Sequence, residues 1–494
     1  MAIPKVMGTE IEYGITVKGD PDFDPISSCV LLVNCYREEH YGEILWDYDQ
    51  ENPLADARGF QVDGEKYTPN QQENIARNKT LINGARYYVD HAHPEYSCPE
   101  VTNARELVIH EKAGERILEA SRREASGLLP AGAQMLLYKN NSDRKGNSYG
   151  SHENYLMDRR TSFKQIVEHL MPFFVTRQVF CGAGKVGSEN RAHSCDFQIS
   201  QRADFFETEV ALDTMVKRPI INTRDEPHAD REKYRRLHVI VGDANLSEYT
   251  IYLRTGVTTL VLEMIEDGAI QKNLSLRDPV SAIKEVSHDP ECRRAVHLEN
   301  GKRLTAVEIQ AEYLEMALAY CSGREVSAET EDVLAKWQSA LEALRRDPME
   351  LDRQIDWVMK KSMIESFMQR KSLAWNAAQV QMLDLQYHDL RPDKGLYFML
   401  ERQGRAERLV TDEEINLAIR KPPEDTRAYF RGECLRRYGS AVFGVNWDSI
   451  SFSVDDEPIK RILMAEPLKG SRVHVEELLN QSPTAAELVK NLRA

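Results

Sequence analysis

The stretch Gly8-Thr-Glu-Ile-Glu-Tyr-Gly-Ile-Thr16, close to the start of the chain, alternates between two kinds of side chain. If it forms a β-strand, the Thr, Ile and Tyr side chains share one face, while Glu10 and Glu12 share the other. Side chains two positions apart on a strand lie about 7 Å from one another, and neighbouring carboxylates repel unless a cation intervenes. Hard oxygen ligands suit Mg²⁺. The stretch therefore predicts either a magnesium site or the solvated polar face of an edge strand.

The segment Gly84-Ala-Arg-Tyr-Tyr-Val-Asp90 alternates in the same way. Arg86, Tyr88 and Asp90 share one face of the predicted strand, and this combination is unusual for a protein core. Arg86 is suited to a phosphate, and Asp90 is suited to act as a nucleophile or a base. The alternative is a row of ion pairs on the surface.

Histidines recur beside the predicted strands. His91-Ala-His-Pro-Glu-Tyr96 places two histidines and a glutamate within five residues, which suits a metal, although Pro94 makes a turn an equal alternative. His152 and His238 each precede an apolar run, and each alone is more typical of a structural histidine. Together, the polar-faced strands favour one sheet that has an apolar face and a ligand-lined face.

Short strand-like and helix-like runs alternate without the regular spacing of βαβ units, so an α+β fold with a largely antiparallel sheet is predicted. Residues 38–80 are polar and interrupted by Gly and Pro, which predicts a long mobile loop or insertion. Residues 276–385 are predicted to be rich in helices. We expect a catalytic domain over residues 1–422 and a small C-terminal domain over residues 423–494.

The composition excludes several classes of protein. The 494 residues include 64 Lys and Arg against 79 Asp and Glu, so the net charge is −15. General nucleic-acid binding needs surplus cations, and no apolar stretch approaches the roughly 20 residues of a membrane span. The eight cysteines form no CxxC pair, and the N-terminus has no signal-peptide pattern. We therefore expect a cytoplasmic protein that contacts neither nucleic acid nor membrane.

Three further residues are candidates for ligand contacts. Arg202 and Arg224 lie in polar loops and suit the clamping of a phosphate or carboxylate, with surface salt bridges as the alternative. Trp447 suits stacking on a base or a place in the core. The GxGxxG match at residues 182–187 lacks the strand and helix that a dinucleotide site requires, so that site is not predicted.

These segments together resemble the Pup ligase/deamidase family of the bacterial pupylation pathway. The resemblance rests on the motifs GTEIEYG, NGARYYVDHAHPEYS, LYKNNSDRKGNSYGSHENYL, PIINTRDEPHADREKYRRLHVIVGDANLSE, PPEDTRAYFRG and NWDSI. The family is related to glutamine synthetase and other carboxylate–amine ligases. The resemblance implies a curved, mostly antiparallel sheet flanked by helices, a small C-terminal domain, and ATP and Mg²⁺ on the concave face of the sheet.

The family has two branches. One joins the C-terminal glutamate of Pup, a small disordered protein modifier, to substrate lysines; the other deamidates the C-terminal glutamine of Pup and removes Pup from pupylated proteins. The insertion at 38–80, the segments 46–48 and 53–60 within it, and the His-Ala-His-Pro-Glu run after Asp90 resemble the second branch. The alternatives are a ligase and a non-catalytic Pup-binding protein.

The resemblance also implies roles for ten residues, carried over by motif. Asp90 is the implied catalytic residue, acting either as nucleophile or through a water molecule. The implied residues of the metal site are Glu10, Tyr88, Glu95, His152 and His238. The implied residues of the nucleotide site are Arg86, Arg202, Arg224 and Trp447.

Overall fold

The computed structural model describes residues 1–38, 43–64, 68–190, 192–213, 217–454 and 458–492. The strands in chain order are β1 (Met7–Glu12), β2 (Gly14–Lys18), β3 (Leu45–Trp46), β4 (Ala55–Asp56), β5 (Phe60–Gln61), β6 (Asn78–Thr80), β7 (Arg86–Asp90), β8 (His93–Ser97), β9 (Gln134–Tyr138), β10 (Ser151–Asp158), β11 (Lys185–Val186), β12 (Phe197–Gln198), β13 (Thr208–Ala211), β14 (Pro219–Asn222), β15 (Tyr234–Val239), β16 (Ala295–His297), β17 (Arg303–Thr305), β18 (Val442–Asn446), β19 (Ser449–Phe452) and β20 (Lys460–Leu463).

The helices surround these strands. In chain order they are α1 (Pro25–Cys35), α2 (Gln71–Arg77), α3 (Ala104–Gly127), α4 (Phe163–Cys181), α5 (Glu248–Glu266), α6 (Pro279–Ser287), α7 (Ala306–Cys321), α8 (Ala328–Arg346), α9 (Asp356–Lys371), α10 (Ala378–Tyr387), α11 (Leu396–Arg402), α12 (Asp412–Ala418), α13 (Ala428–Tyr438), α14 (Arg472–Asn480) and α15 (Ala485–Asn491). The helix-rich region predicted over 276–385 corresponds to α6 through α10. None of the described helices is both long and apolar enough to span a membrane.

The main sheet has six strands in the order β15-β10-β1-β8-β7-β6, and every neighbouring pair is antiparallel. Its register brings the predicted site residues together. Glu10 lies opposite His152 on β10, while Glu95 lies between Glu12 on β1 and Tyr88 on β7. Directly paired residues point to the same face of an antiparallel sheet, so these five side chains share one face.

The opposite face of the sheet packs against helices. Ile11 and Tyr87 are fully buried there, and α1, α3 and α5 contact the strands. Asn103 begins α3, because its side chain accepts a hydrogen bond from the backbone N–H of Glu106. The apolar face predicted from the alternation in β1 is therefore the core face of the sheet.

A second sheet has the order β20-β19-β18-β3 and belongs to a separate apolar core near the C-terminus. Phe430, Ile450 and Phe452 are buried in this core, which also includes Ile44. Strand β3 pairs in parallel with β18, although the other pairs are antiparallel. One strand of the C-terminal sheet, β3, thus comes from the region before residue 422.

The segment 38–80 differs from the predicted long loop. Residues 39–42 and 65–67 of it lie outside the described residues, but the rest holds β3, the hairpin β4–β5, α2 and the sheet-edge strand β6. Asn70 begins α2 through a capping box with Glu73. The prediction of one loop is wrong for the described part, because local caps and pairing with distant strands order it.

Candidate active site

A polar cleft of about 760 Å³ lies over the ligand-lined face of the main sheet. A second cavity, of about 500 Å³, continues from it towards the C-terminal sheet and is bordered by Arg86 and Trp447. Asp90 and His91 line both spaces. The two cavities therefore meet at the end of β7.

Glu10 is the centre of one polar cluster on the sheet. Its Oε1 accepts a hydrogen bond of 2.9 Å from Asn154 and lies 3.3 Å from the Arg236 guanidinium, while its Oε2 lies 3.4 Å from Nδ1 of His152. Burial raises the pKa of Glu10, but the hydrogen bond with His152 and the charge of Arg236 outweigh it and hold the pKa well below its usual range. Glu10 is therefore ionised.

Glu10, His152 and His238 can offer three ligand atoms within 4.8 Å of one another. The rings of the two histidines meet edge to face, with their centroids 4.9 Å apart. Burial lowers the pKa of His238 well below its usual range, so its imidazole is neutral and suited to a metal. Oxygen and nitrogen donors in this arrangement suit a divalent cation.

Glu12, Asp90 and Glu95 form a second group, whose carboxylate oxygens also lie within 4.8 Å of one another. Glu95 is only 3% exposed. Burial, together with the charges of Asp90 and Glu12, raises its pKa well above the usual range, and the pKa of Glu12 is raised by burial and Asp90. Such crowded carboxylates are stabilised by a cation between them.

Asp90 ends β7 and is half exposed to the cleft. Its Oδ2 lies 2.8 Å from Nδ1 of His91. Burial raises the pKa of Asp90, but the hydrogen bond and the charge of His91 outweigh it, so the pKa lies below its usual value. Asp90 is therefore an ionised carboxylate beside the crowded acidic group.

Arg86 is buried at the border of the second cavity. Its guanidinium lies between the rings of Trp46, at 4.0 Å, and Tyr88, at 3.8 Å. It also donates hydrogen bonds to Asn78, at 2.6 Å, and to the hydroxyl of Tyr48, at 3.1 Å. These contacts hold the positive charge of Arg86 in a fixed place along the cavity wall.

Trp447 reaches the second cavity from the loop between β18 and β19. Its ring meets that of Trp46 edge to face at 5.3 Å, and the Arg431 guanidinium lies 5.1 Å from it. Arg431 also donates a hydrogen bond of 2.9 Å to the backbone oxygen of Trp447. Trp447 is thus neither a core residue nor fully exposed, and its ring borders the cavity.

Arg202 and Arg224 both line the cleft. Arg202 is buried, bonds to neutral oxygens of Ser148, Ile240 and Gly242, and has its pKa lowered to about 9 by burial and the charge of Arg218. Arg224 also borders the second cavity, and its buried Nε has no hydrogen-bond partner among the described residues. An anion between the two cavities would satisfy that donor.

All ten predicted site residues border one of the two connected cavities. Three further residues, Arg236, Asn154 and Arg218, were not predicted, and Glu12 was paired with Glu10 by alternation but was given no role of its own. Glu12 shares the alternation that identified Glu10, and Arg236 lies two positions before His238 on β15. Both two-residue spacings are present in the sequence and place each pair on one face of its strand. Asn154 and Arg218 carried no comparable signal, because their places depend on strand register and on a distant loop.

The comparisons with known proteins agree with this geometry. Residues 5–451 match the family model described as Pup-ligase protein, and the chain belongs to that family. It is 52% identical to a depupylase of Acidothermus cellulolyticus and 47% identical to a Pup deamidase/depupylase of Mycolicibacterium smegmatis, over 99% of each chain in both cases. It is 42% identical to a Pup–protein ligase of Kineococcus radiotolerans, over 82% of this chain and 90% of that one.

Two solved structures resemble the whole fold. The structure of the ligase PafA in complex with Pup has a TM-score of 0.82 and 34% identity, covering 97% of this chain and 92% of that chain. The structure of PafA in complex with ADP has a TM-score of 0.75 and 35% identity, covering 85% and 96%. The expected α+β class with a mostly antiparallel sheet flanked by helices is confirmed.

Proposed function

We propose that the protein hydrolyses the side-chain amide of the C-terminal residue of Pup. It converts a C-terminal glutamine to glutamate, and it releases Pup from the lysines of pupylated proteins. The observation that carries this proposal is the placement of ionised Asp90 beside a carboxylate group and at the junction of two cavities. The names of the relatives that match over 99% of the chain support the same choice.

The two substrates differ only in the amine that leaves. Asp90 either attacks the γ-carbonyl carbon or removes a proton from an attacking water, and the geometry leaves both routes open. The crowded carboxylates fit a divalent cation, so Mg²⁺ is part of the proposal. Its proposed ligands and close neighbours are Glu10, Tyr88, Glu95, His152 and His238. A bound Mg²⁺ supplies polarisation of the carbonyl.

The second cavity is the proposed nucleotide site, and ATP acts there as a cofactor that is not consumed in each turnover. Trp447 would contact the nucleotide, and Arg86 and Arg224, together with Arg202 from the adjoining cleft, would balance the phosphate charges. The unpartnered Nε of Arg224 and the ADP complex of PafA support this assignment. Residues 1–422 form the proposed catalytic domain, with residues 423–494 supplying Trp447.

Pup and pupylated proteins are the proposed partners, as the solved complex of PafA with Pup suggests for this family. A cytoplasmic location is also proposed. The eight cysteines are all free thiols, which is typical of a reducing compartment.

Incubation with a Pup–lysine conjugate, and separately with Pup ending in glutamine, tests the function with and without ATP and Mg²⁺. We expect free Pup ending in glutamate from both substrates, only when ATP and Mg²⁺ are present. New conjugates with release of ADP from Pup ending in glutamate would favour the ligase. Binding of Pup without any reaction would favour a scaffold.

Asp90→Asn should reduce hydrolysis of both substrates by roughly 100-fold or more, because it removes the reactive carboxylate while keeping the shape. ATP binding, measured by isothermal titration, should stay within a few-fold of the wild type. The matched control is Asp393→Asn, which changes an exposed aspartate. Full activity of Asp90→Asn would contradict the assignment.

A further inference from the structure

His91 occupies the tight turn between β7 and β8, where Asp90 pairs with His93. Its backbone φ is 50°, in the left-handed region that few residues other than glycine and asparagine adopt. Such strained residues concentrate at functional sites. The side chain is 62% exposed and lines both cavities, so it faces the place where they meet.

The hydrogen bond between His91 Nδ1 and Asp90 Oδ2 fixes which ring nitrogen can react. A carboxylate accepts the proton on Nδ1, so Nε2 is the nitrogen available for proton transfer. Within the described residues, the hydrogen bond of the His91 ring is the one from Nδ1 to Asp90, and Nε2 makes none. A carboxylate that orients an imidazole in this way is the arrangement found in catalytic triads.

Hydrolysis of an amide requires a proton on the nitrogen that leaves, because an unprotonated alkylamide anion is too basic to be expelled. Asp90 is ionised and cannot supply that proton. The His91 side chain lies beside the reactive carboxylate and lines both cavities, so it is placed to supply the proton that Asp90 cannot.

We propose that His91 is the catalytic residue that protonates the leaving amine. This inference rests on the proposed amide hydrolysis. As the C–N bond breaks, its electron pair moves to the nitrogen, which takes the proton from Nε2 and leaves as ammonia or as the lysine amine. The imidazole is left neutral and regains a proton from the water molecule consumed in the hydrolysis, so the cycle is balanced.

The test compares two leaving groups in one variant. His91→Asn keeps a residue that tolerates the left-handed backbone but removes the imidazole. The substrates are the Pup–lysine conjugate, whose amine leaves only when protonated, and a Pup γ-(4-nitroanilide), whose weakly basic amine leaves unprotonated. We expect kcat on the conjugate to fall roughly 100-fold and kcat on the anilide to change less than about fivefold.

An equal loss on both substrates would overturn the inference, because it would show that His91 positions Asp90 and donates no proton. An unchanged rate on both would overturn it as well. The matched control is His297→Asn, which changes an exposed histidine on β16. Wild-type enzyme that cleaves neither substrate would instead show that the proposed function is wrong, so the two failures are distinguishable.

Discussion

Glu95 is a buried carboxylate crowded by other acidic side chains. Burial and the charges of Asp90, Glu12 and Glu10 all raise its pKa, and they outweigh the opposing hydrogen bond with Tyr88. Ionisation of Glu95 at neutral pH therefore costs folding free energy whenever no cation is bound. The carboxylates therefore repel one another in the absence of a cation, and a bound cation would offset that repulsion.

Glu95→Gln tests this electrostatic arrangement. A carboxyl group with a raised pKa in the folded state favours folding below its unfolded pKa, and this contribution is lost as the pH rises through the folded-state value. In EDTA, the free energy of unfolding of the wild type should therefore fall relative to the variant as the pH rises from about 4 to 7. Urea denaturation at several pH values measures the difference.

When Mg²⁺ is bound, the wild type should become the more stable of the two proteins. Added Mg²⁺ should raise the melting temperature of the wild type more than that of Glu95→Gln, because the variant has lost a carboxylate of the cluster. Glu299→Gln, at an exposed position, is the control. A variant that responds to pH and to Mg²⁺ as the wild type does would contradict the assignment.

At the scale of elements, Asn74 on α2 connects the segment 38–80 to the second cavity, the proposed nucleotide site. Its side-chain amide donates to the backbone oxygen of Trp46 at 2.8 Å and accepts from the backbone N–H of Trp46 at 3.0 Å. Trp46 in turn contacts both Arg86 and Trp447. One buried amide thus fixes a two-residue strand that would have little stability by itself.

Asn74→Ala should leave both backbone groups of Trp46 without a partner. The expected loss is about 2 kcal/mol of unfolding free energy, together with weaker ATP binding because the wall formed by Trp46 loosens. Urea denaturation and isothermal titration measure the two effects. Asn70→Ala removes only the exposed cap of α2 and should leave ATP binding unchanged. Equal ATP affinity in both variants would contradict this role of Asn74.

The segment 38–80 also contains a strand and a contact that could not be predicted from the sequence. Alternation identified β1 and β7 and the residues on their polar faces, because five or six residues are enough to show a period of two. Strand β3 has two residues and so has no period, and its partner β18 lies about 400 residues further along the chain. No local pattern could reveal either the strand or the contact of Trp46 with Arg86.

At the scale of the whole molecule, Glu100 links the main sheet to the C-terminal helices. It forms ion pairs with Arg427 and Arg431, which lie at the start of α13, and Arg431 also donates to the backbone oxygen of Gly84 at 2.9 Å. Burial raises the pKa of Glu100, but the two guanidinium groups outweigh it and lower the pKa from 4.5 to about 2. The same contacts hold Trp447 over the cavity.

Glu100→Gln should therefore destabilise the protein by about 3 kcal/mol at neutral pH, because two buried cations lose their partner. A carboxylate with a lowered pKa contributes stability above its unfolded pKa, and this contribution is lost as the pH falls through the folded-state value. The difference between variant and wild type should thus shrink between pH 4.5 and about 2. Urea denaturation across this range measures it.

The control for this variant is Glu424→Gln, which removes an exposed ion pair with Arg472 in the same region. We expect that change to cost less than about 1 kcal/mol. A Glu100→Gln variant as stable as this control would show that the two arginines do not depend on Glu100.

The parallel pairing of β3 with β18 has a consequence for synthesis of the protein. A ribosome makes Trp46 about 400 residues before Val445 and Trp447. The nascent chain can fold its central sheet with Asp90 and the carboxylates in place, but the wall of the second cavity closes only after β18 has been synthesised. A nascent chain without β18 therefore lacks the complete second cavity, and activity should begin only after β18 has been synthesised.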